Sequence, residues 1–213
     1  MQVASRRAEL LPLRGGVPLG VGGGFLILLL VASTGCAARA STPPSAGYER
    51  GGIPELRGER VLLLPLQVRA GGHPDLDREL EFALRQGGDR VDWIWPEATR
   101  EILRRSPGVG IRIDDLPVRG FMVGELQRVG DPLFGDLYRL GALTSAPWAL
   151  LPVEARGRAE ADGTETVEIA AALLDTRTGR VVWFGIVAGT PGAVGSLPAS
   201  SSAAEALARR VTG

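Results

Sequence analysis

From Arg60 onward, short apolar runs of strand length alternate with stretches whose apolar residues recur every three or four positions. RVLLLPLQV, beginning at Arg60, is apolar almost throughout, the pattern of a strand covered on both faces and expected here as a central strand. Gly71-Gly72-His73-Pro74 turns the chain into a helix from Asp75 to Gln86. Leu76, Leu80, Ala83 and Leu84 share one side of it, and its acids gather at the start, where the helix dipole is positive. In VDWIW, Val91, Trp93 and Trp95 alternate with Asp92 and Ile94, which predicts a second strand. Pro96 then opens a helix through Arg105, with Ala98, Ile102 and Leu103 inward.

Between Ser106 and Gly130 the periodicity fades; IRIDDLPV is expected to be extended and FMVGELQRV helical, and Leu133, Leu137 and Leu140 mark another short helix. WALLPVEAR, EIAAALLD and RVVWFGIVAG read as three strands of an antiparallel meander, joined by turns at Asp162-Gly163 and Thr176-Arg177-Thr178-Gly179. Ser200 to Ser202 lead into a terminal helix, Ala203 to Val211, with Arg209 and Arg210 at its negative end. The order strand, helix, strand, helix, helix, three strands, helix predicts an α/β (α+β) domain over residues 60–213. Its simplest form is a mixed sheet of about five strands flanked by helices.

The chain ahead of this domain follows other rules. Arg6, Arg7 and Arg14 precede an apolar stretch peaking at Phe25 to Ala32, and the small residues Ser33, Thr34 and Gly35 precede the single cysteine, Cys36. Those are the three parts of an export signal over residues 1–35. A spanning helix needs about 20 predominantly apolar residues, whereas this run is short and follows the weakly apolar Gly20-Val21-Gly22-Gly23-Gly24. Ala-Ser-Thr-Gly-Cys resembles the lipobox of bacterial lipoproteins, with Ser33 where that family most often has leucine. The resemblance implies that Cys36 receives a diacylglycerol, that the signal is cut before it, and that the new amino terminus is acylated. Ala37 stands where aspartate would signal inner-membrane retention, so the resemblance implies lipid anchoring in the outer membrane, facing the periplasm. Residues 37–59 are rich in Ala, Ser, Pro and Gly, and such a segment reads as a flexible tether.

Removing residues 1–35 leaves one domain plus that tether. The charges balance at 24 against 24, and without Arg6, Arg7, Arg14 and Glu9 they stand at 21 positive and 23 negative. No basic field is left to attract nucleic acid. With one cysteine, an internal disulfide is impossible.

Three segments, RVLLLPLQV, Leu140-Gly141-Ala142 ahead of an apolar strand, and LLDTRTGRVVWFG, occur in an order that resembles the CsgG-like superfamily of envelope lipoproteins, over about residues 58–211. That group includes the curli secretion lipoprotein, lipoprotein activators of penicillin-binding proteins, an exopolysaccharide-export ring lipoprotein and, more distantly, the amino-terminal domain of TolB. The resemblance implies a non-catalytic module that meets another subunit. Its sharpest element, Asp175 to Trp183, also has a plain structural explanation, because Gly179 suits a tight hairpin and Asp175 and Thr176 can bond their own turn amides.

What is missing narrows the chemistry. Lysine is absent from the chain, so it has no Walker A loop, Schiff base or Ser-x-x-Lys pair. His73 is the only histidine and is expected to be solvated or to cap a helix. Asp114-Asp115 is the best carboxylate pair for a hydrolase of wall or capsule polysaccharide, which needs two acids about 5–10 Å apart in a groove. Adjacent acids on an extended chain point to opposite faces, so a turn or cap is the expected role. No catalytic residue, cofactor or metal site is expected. Trp93, Trp95, Trp183 and Phe184 lie in strands apolar on both sides, and any that the helices leave uncovered would anchor a protein partner or a second copy.

Overall fold

A computed structural model describes residues 45–73, 75–87, 90–123 and 127–213; Cys36 and the expected export signal over residues 1–35 lie outside them. The elements are, in chain order, β1 (Glu49–Gly51), β2 (Arg60–Leu63), β3 (Val68–Ala70), α1 (Leu76–Gln86), β4 (Asp92–Ile94), α2 (Pro96–Arg105), α3 (Leu133–Thr144), β5 (Trp148–Ala159), β6 (Glu165–Asp175), β7 (Val181–Ala188) and α4 (Leu197–Thr212). One mixed sheet runs β1-β7-β6-β5-β2-β4, with β3 also on β5. The β5-β6-β7 meander and β1 are antiparallel, while β2 and β3 run parallel to β5 and β4 runs parallel to β2.

RVLLLPLQV makes two strands where one was expected. Pro65 lacks an N–H and interrupts the ladder, and Leu64 N and Gln67 N, which donate to Leu150 O and Pro152 O, keep the chain on β5 through the break. Gln67 then reaches across with its side chain, donating to Pro65 O and Ile113 O and accepting from Leu116 N. That amide holds the region after α2 against the sheet.

Two apolar layers result. On one face Val61, Leu63, Leu150, Leu173 and Trp183 meet α1 and α4, whose Ala203, Ala204 and Ala208 allow close approach to the strands. On the other, Leu62, Ala149, Leu151, Ala172 and Leu174 meet Leu133, Leu137 and Leu140 of α3, together with Ile111, Ile113, Leu116 and Val118. IRIDDLPV is therefore a turn-rich segment and not extended, with Ile111, Ile113, Leu116 and Val118 buried; a 3-10 helix at Val118–Val123 overlaps the start of the expected helix FMVGELQRV, part of which, residues 124–126, lies outside the described residues. In α2 the fully buried positions are Pro96 and Thr99, while Ala98 is exposed. The stretch assigned to the tether also contributes, because β1 pairs with β7 and Leu56 is buried. Backbone bonds hold β1, so its lack of large apolar side chains did not betray it.

The segments that carry the family resemblance touch one another. Asp175 Oδ1 accepts the Arg177 and Thr178 amides, and Gly179 takes φ 69° to close the turn. Thr176, buried, donates to Ala146 O just beyond α3. A Cβ on Gly141 would lie 2.4 Å from Thr176 Oγ1 and 2.7 Å from its Cβ, so only glycine lets α3 approach the hairpin. Gly141→Ala is expected to destabilise the domain by about 1–3 kcal/mol through overpacking, read as a lower urea midpoint with an unchanged slope.

Candidate interaction surface

The four aromatic residues of interest separate. Trp183 is fully buried between the sheet and α4, which removes it from the surface that the strand pattern suggested. A bulge opposite Leu173 and Leu174 breaks the alternation of β7, placing Val181 against the α3 layer and Val182 against the α4 layer. Phe184 lies on the opposite face from Trp183, half-buried, with Tyr48 edge-on at 6.2 Å. Trp93 and Trp95 are together, their ring centroids 6.1 Å apart and tilted by 35°. Trp93 faces the core at 9% exposure, and Trp95 is half-buried at the entry to α2.

Their neighbourhood is concave. Among the described residues β4 is an outer strand, paired with β2 alone. A hollow of about 450 Å³ is bounded by Arg85, Arg90, Asp92, Trp93 and Trp95. A second, of about 380 Å³, shares Arg90 and Val91 with it and continues past Glu55, Arg57 and Arg210. Arg85 lies over the Trp95 ring, 3.9 Å from its centroid, where the ring quadrupole attracts the cation.

These charges are unequally engaged. Arg210 donates to both oxygens of Glu49, at 2.5 and 2.9 Å. Those bonds hold the Glu49 carboxyl below its usual range, and Glu49 raises Arg210 in turn. Asp92 pairs with Arg60 at 2.8 Å. Arg57 is 3.8 Å from Glu55, both well exposed, a pair of little energetic weight. Among the described residues, Arg90 makes no ion pair. Aromatic residues and arginines are the side chains enriched where proteins meet, and the sequence signalled only the aromatic half. Nothing in the spacing of Arg57, Arg85 and Arg90 shows that they converge.

The remaining candidates are engaged in packing. His73 is buried, against expectation: Nδ1 is 3.1 Å from Ser200 Oγ, and Nε2 is 3.6 Å from the Glu165 carboxylate, which accepts the Gly195 amide. It joins the loop before α1 to α4 and β6. Asp114 takes a two-pronged bond from Arg100 of α2 and raises that guanidinium above its ordinary pKa. Asp115 pairs with Arg112 at 2.9 Å. The two acids thus face separate arginines. Among the described residues no three His, Cys, Asp or Glu side chains gather as metal ligands, and no helix is long and apolar enough to cross a membrane.

No protein-family profile matches the chain, and no curated protein does. Solved structures do. The PelC dodecamer from Paraburkholderia phytofirmans aligns over 78% of this chain and 93% of its own, at 16% identity and a TM-score of 0.41. The carboxy-terminal domain of LpoB from Salmonella enterica aligns over 64% and 86%, at 14% identity and a TM-score of 0.42. Lipoprotein GNA1162 from Neisseria meningitidis aligns over 63% and 84%, at 12% identity and a TM-score of 0.40.

Proposed function

We propose that this chain is a non-catalytic envelope lipoprotein, anchored through Cys36 to the outer membrane and facing the periplasm, whose domain is a CsgG-like binding module for a protein partner. The observation that carries the binding role is the groove beside β4, lined by Trp95 and by arginine side chains. Aromatic and arginine side chains gathered in a groove suit a partner's anchors. The sequence FLILLLVASTGC supports the anchor. The separate engagement of Asp114 and Asp115 with arginines favours binding over hydrolysis.

The test is a photo-crosslinking residue in place of Trp95 in the full chain in its native membranes, with the size of the detergent-solubilised protein measured alongside. A discrete crosslinked adduct or a stable oligomer is expected. A strict monomer without adducts would overturn the binding role. Asp114→Ala and Asp115→Ala are expected to leave the cellular role intact, and a loss of about 100-fold, the scale for removing a general acid or base, in a folded variant would restore the hydrolase reading.

A further inference from the structure

The turn between β7 and α4 is firmly held and yet exposed. Glu165 and Gly192 exchange two main-chain bonds, at 2.8 and 3.0 Å. The Glu165 carboxylate accepts the Gly195 amide at 2.8 Å, and Ser202 Oγ accepts the Thr190 amide at 2.9 Å. Ser196 N closes the turn on Ala193 O, and His73, buried against Ser200 and Glu165, supports it from inside. At the tip Val194 is 70% exposed, and Leu197, the first residue of α4, is 53% exposed. Two apolar side chains are thus displayed on a backbone fixed around them.

Charge and size describe what they meet. From Val181 to Ala204 the chain carries no charged residue, in a sequence that is 23% charged. At the same end of the sheet the β5–β6 turn adds the acids Glu160 and Asp162, and Arg158 is paired with Glu160 and Glu168. The contact on offer is apolar and not electrostatic. Val194 and Leu197 make a small patch beside the roughly 800 Å² that each partner commits to a stable protein interface. They suit a surface that is apolar within and is already held close by another bond.

The anchor supplies that bond. β1 is antiparallel to β7, with Glu49 opposite Gly185, and Gly47 N donates to Ile186 O. The chain ahead of β1 therefore enters at the carboxy end of β7, which leads directly into the turn. Ser45 is nine residues from Cys36, a span of at most about 30 Å. A lipid on Cys36 keeps that end of the sheet near the bilayer, whereas the Thr176–Gly179 hairpin lies at the opposite end of β7.

We propose that Val194 and Leu197 insert into the surface of the bilayer that holds Cys36, seating the domain with its β7–α4 turn on the membrane. The proposal rests on the lipoprotein reading and adds an orientation to it. Even one acyl chain attaches a protein only marginally, so two side chains act only on a domain already anchored.

The experiment uses the full lipidated chain in vesicles of phosphatidylethanolamine and phosphatidylglycerol. An environment-sensitive dye is placed on Val194→Cys or, as a reference, on Arg177→Cys in the hairpin turn, and nitroxide-bearing lipids serve as quencher. The dye at position 194 is expected to be quenched and the dye at 177 not. The difference is expected to survive about 1 M salt, where charges are screened within about 3 Å. Leu197→Glu is expected to abolish the quenching at 194 and Leu197→Ser to reduce it. A carboxylate in the first turn of α4 suits the helix dipole, and thermal melting checks that both variants fold. Equal quenching at the two positions, none at 194 in vesicle-bound protein, indifference to Leu197→Glu, or loss of quenching in salt would overturn the seating and leave the lipid anchor standing. An apolar emission at 194 without quenching by lipid nitroxides would assign the turn to a protein partner or a second copy, and would overturn it too. Failure of the unlabelled protein to take up fatty acid would overturn the lipoprotein reading, and the seating with it.

Discussion

Trp183→Ala is expected to destabilise the domain by about 3–5 kcal/mol, the usual cost of truncating a fully buried large aromatic residue. Against a total stability of about 5–15 kcal/mol for a domain, that is a large fraction of the whole and leaves little folded protein where the total lies at the low end. The size follows from how many elements share the ring. Trp183 lies in β7 opposite Gly51 of β1 and Leu173 of β6, and it packs in the layer that includes Ala203, Ala204 and Leu207 of α4. Gly185, two residues on, has no side chain, and a Cβ there would lie 2.4 Å from the Trp183 ring; the indole occupies that space. Arg210 of α4 is 5.6 Å from the ring centroid and is paired with Glu49 of β1. Truncation therefore opens a cavity and loosens β1 and α4 together. Thermal and urea melts of the variant would measure the loss, with Trp183→Phe expected to fall between. Had Trp183 been a surface anchor, its truncation would leave the melt unchanged and weaken only partner binding. A melting temperature within a few degrees of the unmodified protein would overturn its assignment to the core.

That contrast shows where the sequence was informative. The four apolar residues of α1, the start of α2 at Pro96 and both turns of the meander followed from local pattern, because periodicity and turn chemistry are local properties. The aromatic residues were visible, but which of them the helices cover depends on tertiary packing. In β7 a bulge reversed the facing of Val181 and Val182, which no count of alternating residues registers. From Ile111 to Val118 the buried residues follow neither helical nor strand spacing, since turns and 3-10 segments impose no long period. His73 occupies a Gly-Gly-His-Pro stretch that reads as solvated, yet Ser200, which lies 127 positions further along the chain, and Glu165 bury it. The groove was the least legible feature, because Arg57, Arg85 and Arg90 come from three separate segments that meet only after β4 docks on β2.

Cys36→Ser is expected to abolish lipid labelling altogether, an all-or-none effect. The expectation comes from FLILLLVASTGC: an apolar stretch too short to span a bilayer comfortably, then small residues, then the chain's one thiol. A hydroxyl in place of that thiol leaves no thioether to form. A single acyl chain gives only marginal attachment, whereas two or more on one residue hold a protein firmly, since each buried methylene contributes about 0.8 kcal/mol. The unmodified protein should incorporate labelled fatty acid and stay with membranes through a high-salt wash. Because an unprocessed leader could itself retain the Cys36→Ser variant, a second form is needed, with residues 1–36 replaced by a secretory signal cleaved directly before Ala37. That form is expected in the soluble periplasmic fraction with a folded domain. Failure of the unmodified protein to take up label would end the lipoprotein reading, and so would membrane retention of the second form after the wash. Fatty-acid uptake that persists in Cys36→Ser would place the lipid on another residue. Release of the second form with loss of the crosslinks from position 95 would show that the tethered location, as well as the β4 groove, is needed for the domain to meet its partner.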